Sequence, residues 1–242
     1  MNSQVIDNIL HRYGDLLQKI DTWFADCMAR FPDEIACKSG CTGCCRGLYD
    51  ITLLDAAYLG KGFDGLDSAV RKTVLRQAEE RLASLRKIWP ELGQPYLLNH
   101  RPEEDWEELM PEDDETPCLL LGDDGRCLVY GYRPMTCRLH GVPLVDYSGE
   151  VFMDEWCTEN FQGADPMQLK EIRWEFFAHF NAELEMFREF TTQLLGRTVN
   201  ELDTFIPLAL LIDFEGFDWK RCKVDVKQED SGRIPLEEQC GG

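Results

Sequence analysis

The chain has 242 residues, 44% of them hydrophobic, a formal charge of −20 from 45 carboxylates against 25 lysines and arginines, and 11 cysteines. That length can bury a core that folds without covalent staples, so the cysteines are not there to rescue an undersized domain. So acidic a surface repels nucleic-acid phosphates and anionic lipid; no nucleic acid and no membrane are expected as partners, which leaves solubility alone as the simplest reading of the charge, with a basic protein partner or a cationic substrate beside it. No apolar run reaches the roughly 18 residues of a membrane span, and the N-terminal residues lack the basic and apolar regions of a signal peptide. The expectation is a cytoplasmic protein, where thiols stay reduced and clustered cysteines signal metal or redox chemistry rather than disulfides.

Over residues 3–31, Val5, Ile6, Ile9, Leu10, Tyr13, Leu16, Leu17, Ile20, Trp23 and Phe24 recur at helical spacing, and Pro32 stops the run. Cys27 lies within it as a small core hydrophobe. Residues 37–47 carry Gly40, Gly43 and Gly47, too many for a helix interior and suited to a loop folded round something. Residues 51–54 read as a short extended segment or the start of a helix that continues over 55–59, and Gly60, Gly62 and Gly65 interrupt the pattern. Asp67 predicts an N-cap for a helix reaching about Ile88, closed by Pro90.

Residues 103–115 hold nine carboxylates, interrupted by Trp106, Leu109, Met110 and Pro111. Such a run is a solvated acidic loop or a docking strip for a basic partner. Then the pattern turns to strands. Residues 118–121 and 127–130 read as a hairpin around Asp124-Gly125, and 142–146 with 151–153 as a second. Asp165, with Pro166 at the first position, predicts a long helix ended by Gly196. Thr198-Val199-Asn200-Glu201 reads as a capping box opening a last helix toward Ile212, kinked at Pro207. A loose tail is expected over 216–242. The fold expected over 1–242 is a single, mostly helical α+β domain. Packing helices in 1–32 and 165–214 form its scaffold, and residues 35–160 form a core of two small β-hairpins and a cysteine-rich metal-binding loop.

Cys37-Lys38-Ser39-Gly40-Cys41-Thr42-Gly43-Cys44-Cys45 packs four thiols into nine residues, and Cys118, Cys127, Cys137 and Cys157 follow far along the chain. Thiolate sites need several sulfurs near one centre, and short spacings let one tight turn aim two inward. Neighbouring side chains tend to point apart, so Cys44 and Cys45 share a centre only if the loop is distorted; otherwise they serve two. Eight thiols suffice for two four-thiolate sites, or for one with the remainder supporting it. Soft thiolates accept zinc and iron–sulfur clusters alike; the run of short unequal spacings suits a cluster somewhat better than zinc, for which Cys41-x2-Cys44 is the single clean pair.

The pattern Cys37-x3-Cys41-x2-Cys44-Cys45, Cys118-Leu-Leu, Cys127-x2-Tyr130-x2-Arg133-Pro134-x2-Cys137-Arg138 resembles the YkgJ-type cysteine-cluster family over about residues 35–160. That resemblance implies a zinc- or iron-chelating protein, in some members an iron–sulfur protein, without an assigned activity. A related cysteine pattern in flagellin lysine N-methylase implies an alternative, a protein-modifying enzyme. The Cys37-x3-Cys41-x2-Cys44 spacing is also that of radical S-adenosylmethionine enzymes. Gly43 stands where those carry an aromatic residue, however, and the alternating strands and helices of their barrel are missing.

Arg133 and Arg138, flanking Cys137, either lower thiolate pKa and offset site charge or pair with the chain's own carboxylates. His140 reads as a substitute ligand or a donor behind the ligands, while His11, His100 and His179 lack metal spacing. Cys222 lies between basic neighbours, and the terminal Cys240-Gly241-Gly242 lacks the β-grasp context of diglycine carriers. No Ser-His-Asp grouping, catalytic carboxylate pair or phosphate loop is visible. Three functions therefore stand: a thiolate metal or cluster protein with a structural, electron-transfer or metal-handling role; a lysine-methyltransferase-like enzyme; and a zinc-stabilised interaction module docking through 103–115.

Overall fold

The computed structural model describes residues 3–111 and 113–222. As the composition and patterning predict, it is a mostly helical α+β fold with two small antiparallel two-stranded sheets. Helix α1 (Ser3–Arg30) is its spine. The predicted stripe from Ile9 through Ile20 to Trp23 and Cys27 is buried, an i, i+3, i+4 face wide enough to pack on several elements at once. Trp23 is its main anchor: the indole Nε1 donates to Ile172 O at 3.0 Å, and the ring stacks on Trp174 and meets Phe176 edge-on. No helix among the described residues is long and apolar enough to cross a membrane.

Strand β1 (Asp50–Thr52) leads directly into helix α2 (Leu53–Asp64), where Thr52 Oγ1 caps the first turn by accepting from Asp55 N at 3.1 Å. Contrary to expectation, α2 continues through Gly60 and Gly62. The reason at Gly62 is contact: a Cβ there would lie 2.5 Å from the Tyr132 side chain, so glycine admits that ring against the helix. Helix α3 (Ser68–Leu85) starts as predicted, with Asp67 Oδ1 accepting from Ala69 N at 2.8 Å.

Within the acidic run, the short helix α4 (Glu103–Glu107) is pinned by apolar residues rather than floating. Trp106 and Leu109 are buried in a second hydrophobic cluster with Trp89, Leu98 and Phe205, and Arg81 pairs with Asp114. Of the first expected hairpin only the turn forms. Gly125 takes a positive φ of 75°, and the pairing is confined to the isolated Leu121–Cys127 bridge and the bond from Leu128 N to Leu120 O beside it. The chain then coils through Tyr130–Tyr132 into helix α5 (Met135–Leu139). The second hairpin forms as strands β2 (Leu144–Val145) and β3 (Val151–Met153).

Helix α6 (Phe176–Leu195) begins ten residues later than Asp165 and Pro166 suggest. Asp165 caps only a 3-10 turn, and Trp174 is then drawn into extended pairing beside β2, donating from its N–H to Val145 O and accepting from Tyr147 N. The side chain that satisfies the start of α6 comes from elsewhere: Asp146 Oδ2 accepts from Phe177 N at 3.0 Å. Gly196, at φ 72°, ends α6 as predicted.

No helix follows from the Thr198–Glu201 box. Leu202 O accepts from Leu53 N, and residues Asp203–Phe205 become strand β4, antiparallel to β1. A single turn, α7 (Ile206–Ala209), holds Pro207 where a missing N–H costs nothing. β4 and α7 join the two hydrophobic clusters, since Leu202 and Ile206 face the main one and Phe205 and Leu208 the second. Trp219 is buried beside Phe214 and Phe217, so the expected tail is packed as far as Cys222; the rest of it, with Cys240, lies outside the described residues.

Two buried acid groups mark the interior. Tyr13 Oη lies 2.9 Å from Asp55 and 3.4 Å from Glu183; burial pushes Asp55 up to about 6 and Glu183 up to about 8. The phenol has one proton to give, to Asp55, and a protonated Glu183 supplies the second. Asp203, held by Asn99, is likewise pushed up to about 8 by burial, reinforced by Glu201 and Asp50. The folded chain keeps that proton above the ordinary 3.8, where the unfolded chain has lost it, so stability falls as pH rises from 3.8 through about 8.

Two predictions follow from these contacts. Asp203→Asn, which still accepts from Asn99, is expected to show a shallower loss of stability between pH about 5 and about 9 in urea denaturation; an unchanged slope would place the titration elsewhere. The paired glycines of α2 should diverge. Gly60→Ala, with open space at its Cβ, is expected to gain up to about 1 kcal/mol. Gly62→Ala is expected to lose about 1–3 kcal/mol to the Tyr132 clash, read from denaturation midpoints.

Candidate metal centre

Segment 37–45 is two consecutive turns, closed by Cys41 N donating to Lys38 O at 2.9 Å and Cys45 N to Thr42 O at 3.0 Å. Gly40, at φ 87°, lets the chain reverse between them. The end of this segment pairs with the later cysteine region: Cys118 N donates to Cys45 O, and Gly47 N to Thr116 O. Gly125 at the tip of the 122–126 turn packs on Gly40. Cys137 arrives on α5, whose first N–H, from Met135, donates to the buried Asp55 carboxylate at 3.0 Å.

The result is one cavity of about 650 Å³ whose wall includes Cys37, Cys41, Cys44, Cys45, Cys118, Cys127 and Cys137. Seven of the eight thiols predicted from sequence therefore line one cavity. Cys157 does not line the cavity; it sits behind it, close enough to Cys37 for its charge to act there. Asn160 ties these two together. It accepts from Ala36 N at 2.9 Å, donates to Gly141 O at 2.6 Å, and directs the same amide toward the Cys37 sulfur at 3.5 Å. A second, more open groove of about 570 Å³ along the N-terminal half of α1 contains no thiol.

No family model, curated protein or solved structure matches this chain.

Burial pushes Cys37, Cys118, Cys127 and Cys137 up from the ordinary thiol value. Cys44 is raised chiefly because its thiol donates to Cys45, whose own value that bond lowers. Several features act in the opposite sense, toward thiolate. The backbone at Leu120 and Val129, two residues beyond Cys118 and Cys127, hydrogen-bonds back to those sulfurs. The Arg133 charge favours the thiolate at Cys44, Cys127 and Cys137. Thiols that hold a metal do so as thiolates, so a metal here would have to displace the remaining protons.

The arginines do pair with a carboxylate of the chain, and they do so at the thiol cavity. Arg133 and Arg138 pair with the same carboxylate, Asp21 on α1, and both also line the thiol cavity. Arg133 lies over the Tyr130 ring at 4.1 Å, and Arg138, 3% exposed, also donates to the carbonyls of Arg133 and Gly131. His140 lines the cavity edge-on to Tyr49, and burial lowers it from 6.5. His179, by contrast, does not line the cavity; it is buried against Trp174, and burial takes it down to about 4.

Among the described residues, no group of three or more His, Cys, Asp or Glu is gathered so that it could hold a metal ion as it stands. The donor set nonetheless fits a soft metal: thiols ring one cavity, backbone N–H groups point at two of the sulfurs, and two guanidiniums offset thiolate charge. Asn160, Asp21, Asp55 and Tyr49 have no signature in the sequence. Asn160, Asp21 and Asp55 act on a cysteine segment from a distant element, while Tyr49 Oη donates to Cys44 O from five residues on.

Removing the Asp21 carboxylate would strand Arg138 in the interior. Asp21→Ala is expected to cost about 3–5 kcal/mol by chemical denaturation, the usual consequence of leaving one buried charge of a pair alone. A change under about 1 kcal/mol would show that the carbonyl partners of Arg138 suffice.

Proposed function

We propose that this chain is a thiolate metal protein. It carries an iron–sulfur cluster, or zinc as the less favoured cargo, on Cys37, Cys41, Cys44, Cys45, Cys118, Cys127, Cys137 and Cys157. The observation that carries this is the common cavity: residues 37–45 and 118–137, far apart in the sequence, both contribute to its lining and bring seven thiols to it. The short unequal spacings that suit a cluster, and the resemblance to the YkgJ-type cysteine-cluster family, support the same reading. A cluster spreads its ligands over several metal atoms, which accords with thiols arrayed round a cavity; one zinc ion instead draws four sulfurs to about 2.3 Å from a single point.

When bound, a cluster supplies one-electron chemistry, and zinc supplies a structural cross-link. The chain's own residues set the terms. Arg133 and Arg138 compensate thiolate charge, the backbone at Leu120 and Val129 holds two sulfurs by hydrogen bonds, and Leu120 and Ile206 keep the inner wall apolar. The role is structural, electron-transferring or metal-handling, in the cytoplasm. The acidic surface suits a basic protein partner.

A second reading is favoured by one feature. The same cavity carries an apolar stretch with Phe24, Met28 and Leu59, room beside the thiols for a substrate side chain, as a protein-modifying enzyme such as a lysine methyltransferase requires.

Protein purified without oxygen and assayed for iron, zinc and acid-labile sulfide decides the first reading. Iron with matching sulfide and a broad band near ~400 nm is expected; zinc without colour would select the alternative cargo. Neither metal, with no loss of fold on adding a chelator, would overturn the proposal.

A further inference from the structure

Going beyond the metal reading and standing apart from it, we propose that the thiol cavity is a binding site for a small organic anion, a carboxylate carried on an apolar chain.

A cavity of about 650 Å³ falls within the roughly 300–1,000 Å³ range of small-molecule sites. Its charge is the reverse of the chain's. Carboxylates outnumber lysines and arginines 45 to 25 in the sequence, yet Lys38, Arg126, Arg133 and Arg138 line the cavity and no described Asp or Glu does. A cleft lined by one sign of charge against low-dielectric walls focuses its field on the space inside, and so concentrates ligands of the opposite sign.

Two of these cations stand together at the mouth because two turns meet there. Lys38 belongs to the first turn of segment 37–45, Arg126 ends the 122–126 turn, and Gly125 packs on Gly40 where the turns touch. Both side chains are exposed, and neither has an ion pair among the described residues. Asp123 and Asp124 share the second turn but stay out of the lining; Asp124 Oδ1 instead accepts from Arg126 N at 3.1 Å.

The other two cations are answered from outside the cavity. Asp21 pairs with Arg133 and Arg138, and the Asp55 carboxylate, whose charge reaches Arg138, is held by Tyr13 and by Met135 N. Neither carboxylate lines the cavity. Arg133 Nε is left buried without a hydrogen-bond partner among the described residues, a donor that costs free energy until an acceptor reaches it.

Behind the charges the lining is apolar. Leu59, Leu120, Val129 and Ile206 are buried, and Phe24 and Met28 join them from α1. Exposed cations at the mouth and buried hydrocarbon within call for an amphipathic molecule: an anionic head paired with the cations, an apolar body inside. A lysine side chain has the apolar stem but carries the wrong sign at its end.

The probe is decanoate, titrated by calorimetry into the reduced full chain as purified, with its metal content assayed alongside. A chain that arrives with metal is titrated again after the metal is removed, since metal-bound thiolates add negative charge to the lining. One decanoate per chain is expected, bound at least tenfold more tightly than decanol or decylamine and weakening as salt is raised. The double variant Lys38→Ala, Arg126→Ala, both positions exposed and its fold checked by circular dichroism, is expected to lose at least tenfold in decanoate affinity while decanol is unaffected. Bound decanoate should also slow iodoacetamide alkylation of Cys118 and Cys127, which line the cavity, but not of Cys222, which does not.

Binding in neither form of the chain, equal or tighter binding of decylamine, uptake of many decanoates per chain, an unaffected double variant or unchanged alkylation of Cys118 and Cys127 would each overturn the proposal. None of these results bears on the iron, zinc and sulfide content, so the metal reading stands or falls separately.

Discussion

One carboxylate on the spine helix fixes the geometry on which the rest relies. Asp21 receives Arg133 and Arg138 together, and these residues bracket the turn and short helix that carry Cys137. Without this clamp, helix α5, only five residues long, has little of its own to hold it in place, because so short a helix is unstable in isolation. Arg138 closes the turn by donating to two carbonyls, and Asp55 takes the first N–H of the helix. Charge pairing near an interior is seldom a large net gain in stability, but it penalises alternatives heavily, and here that penalty selects one placement of the thiol.

The same arginines balance a conflict within the cavity. Burial favours protonated thiols, while metal binding needs thiolates, and the chain's net charge of −20 makes further negative charge costly. Guanidiniums resolve this better than ammonium groups would, because they remain charged at partial burial and present several donors to carboxylate and carbonyl simultaneously. A cavity lined with thiols is thus also lined with cations, although the surface outside it is overwhelmingly acidic.

Much of this was legible in the sequence because it is local. The stripe of α1 and the caps at Asp67 and Gly196 depend on neighbours a few residues away, and each appears where periodicity and side-chain chemistry predict. The meeting of the two cysteine regions was legible too, seven of the thiols lining one cavity. What could not be read depends on partners distant in the chain. Asp165 and Pro166 form a convincing helix start, yet Trp174 is drawn into extended pairing and the true cap of α6 is Asp146. The Thr198–Glu201 box has the right letters, but β1 claims the following residues as a strand. Gly62 looked like a breaker because the ring it admits lies seventy positions on.

The pairing of β1 with β4 has a consequence for how the protein is made. These strands are separated by roughly 150 residues, and contacts so distant form late because a long loop must be closed first. On the ribosome, the turns carrying the first four thiols emerge well before β4, and Ile206, immediately after β4, completes the cavity wall. During that interval those thiols lack the wall that later shelters them, so oxidants reach them more easily in the nascent chain than in the folded protein.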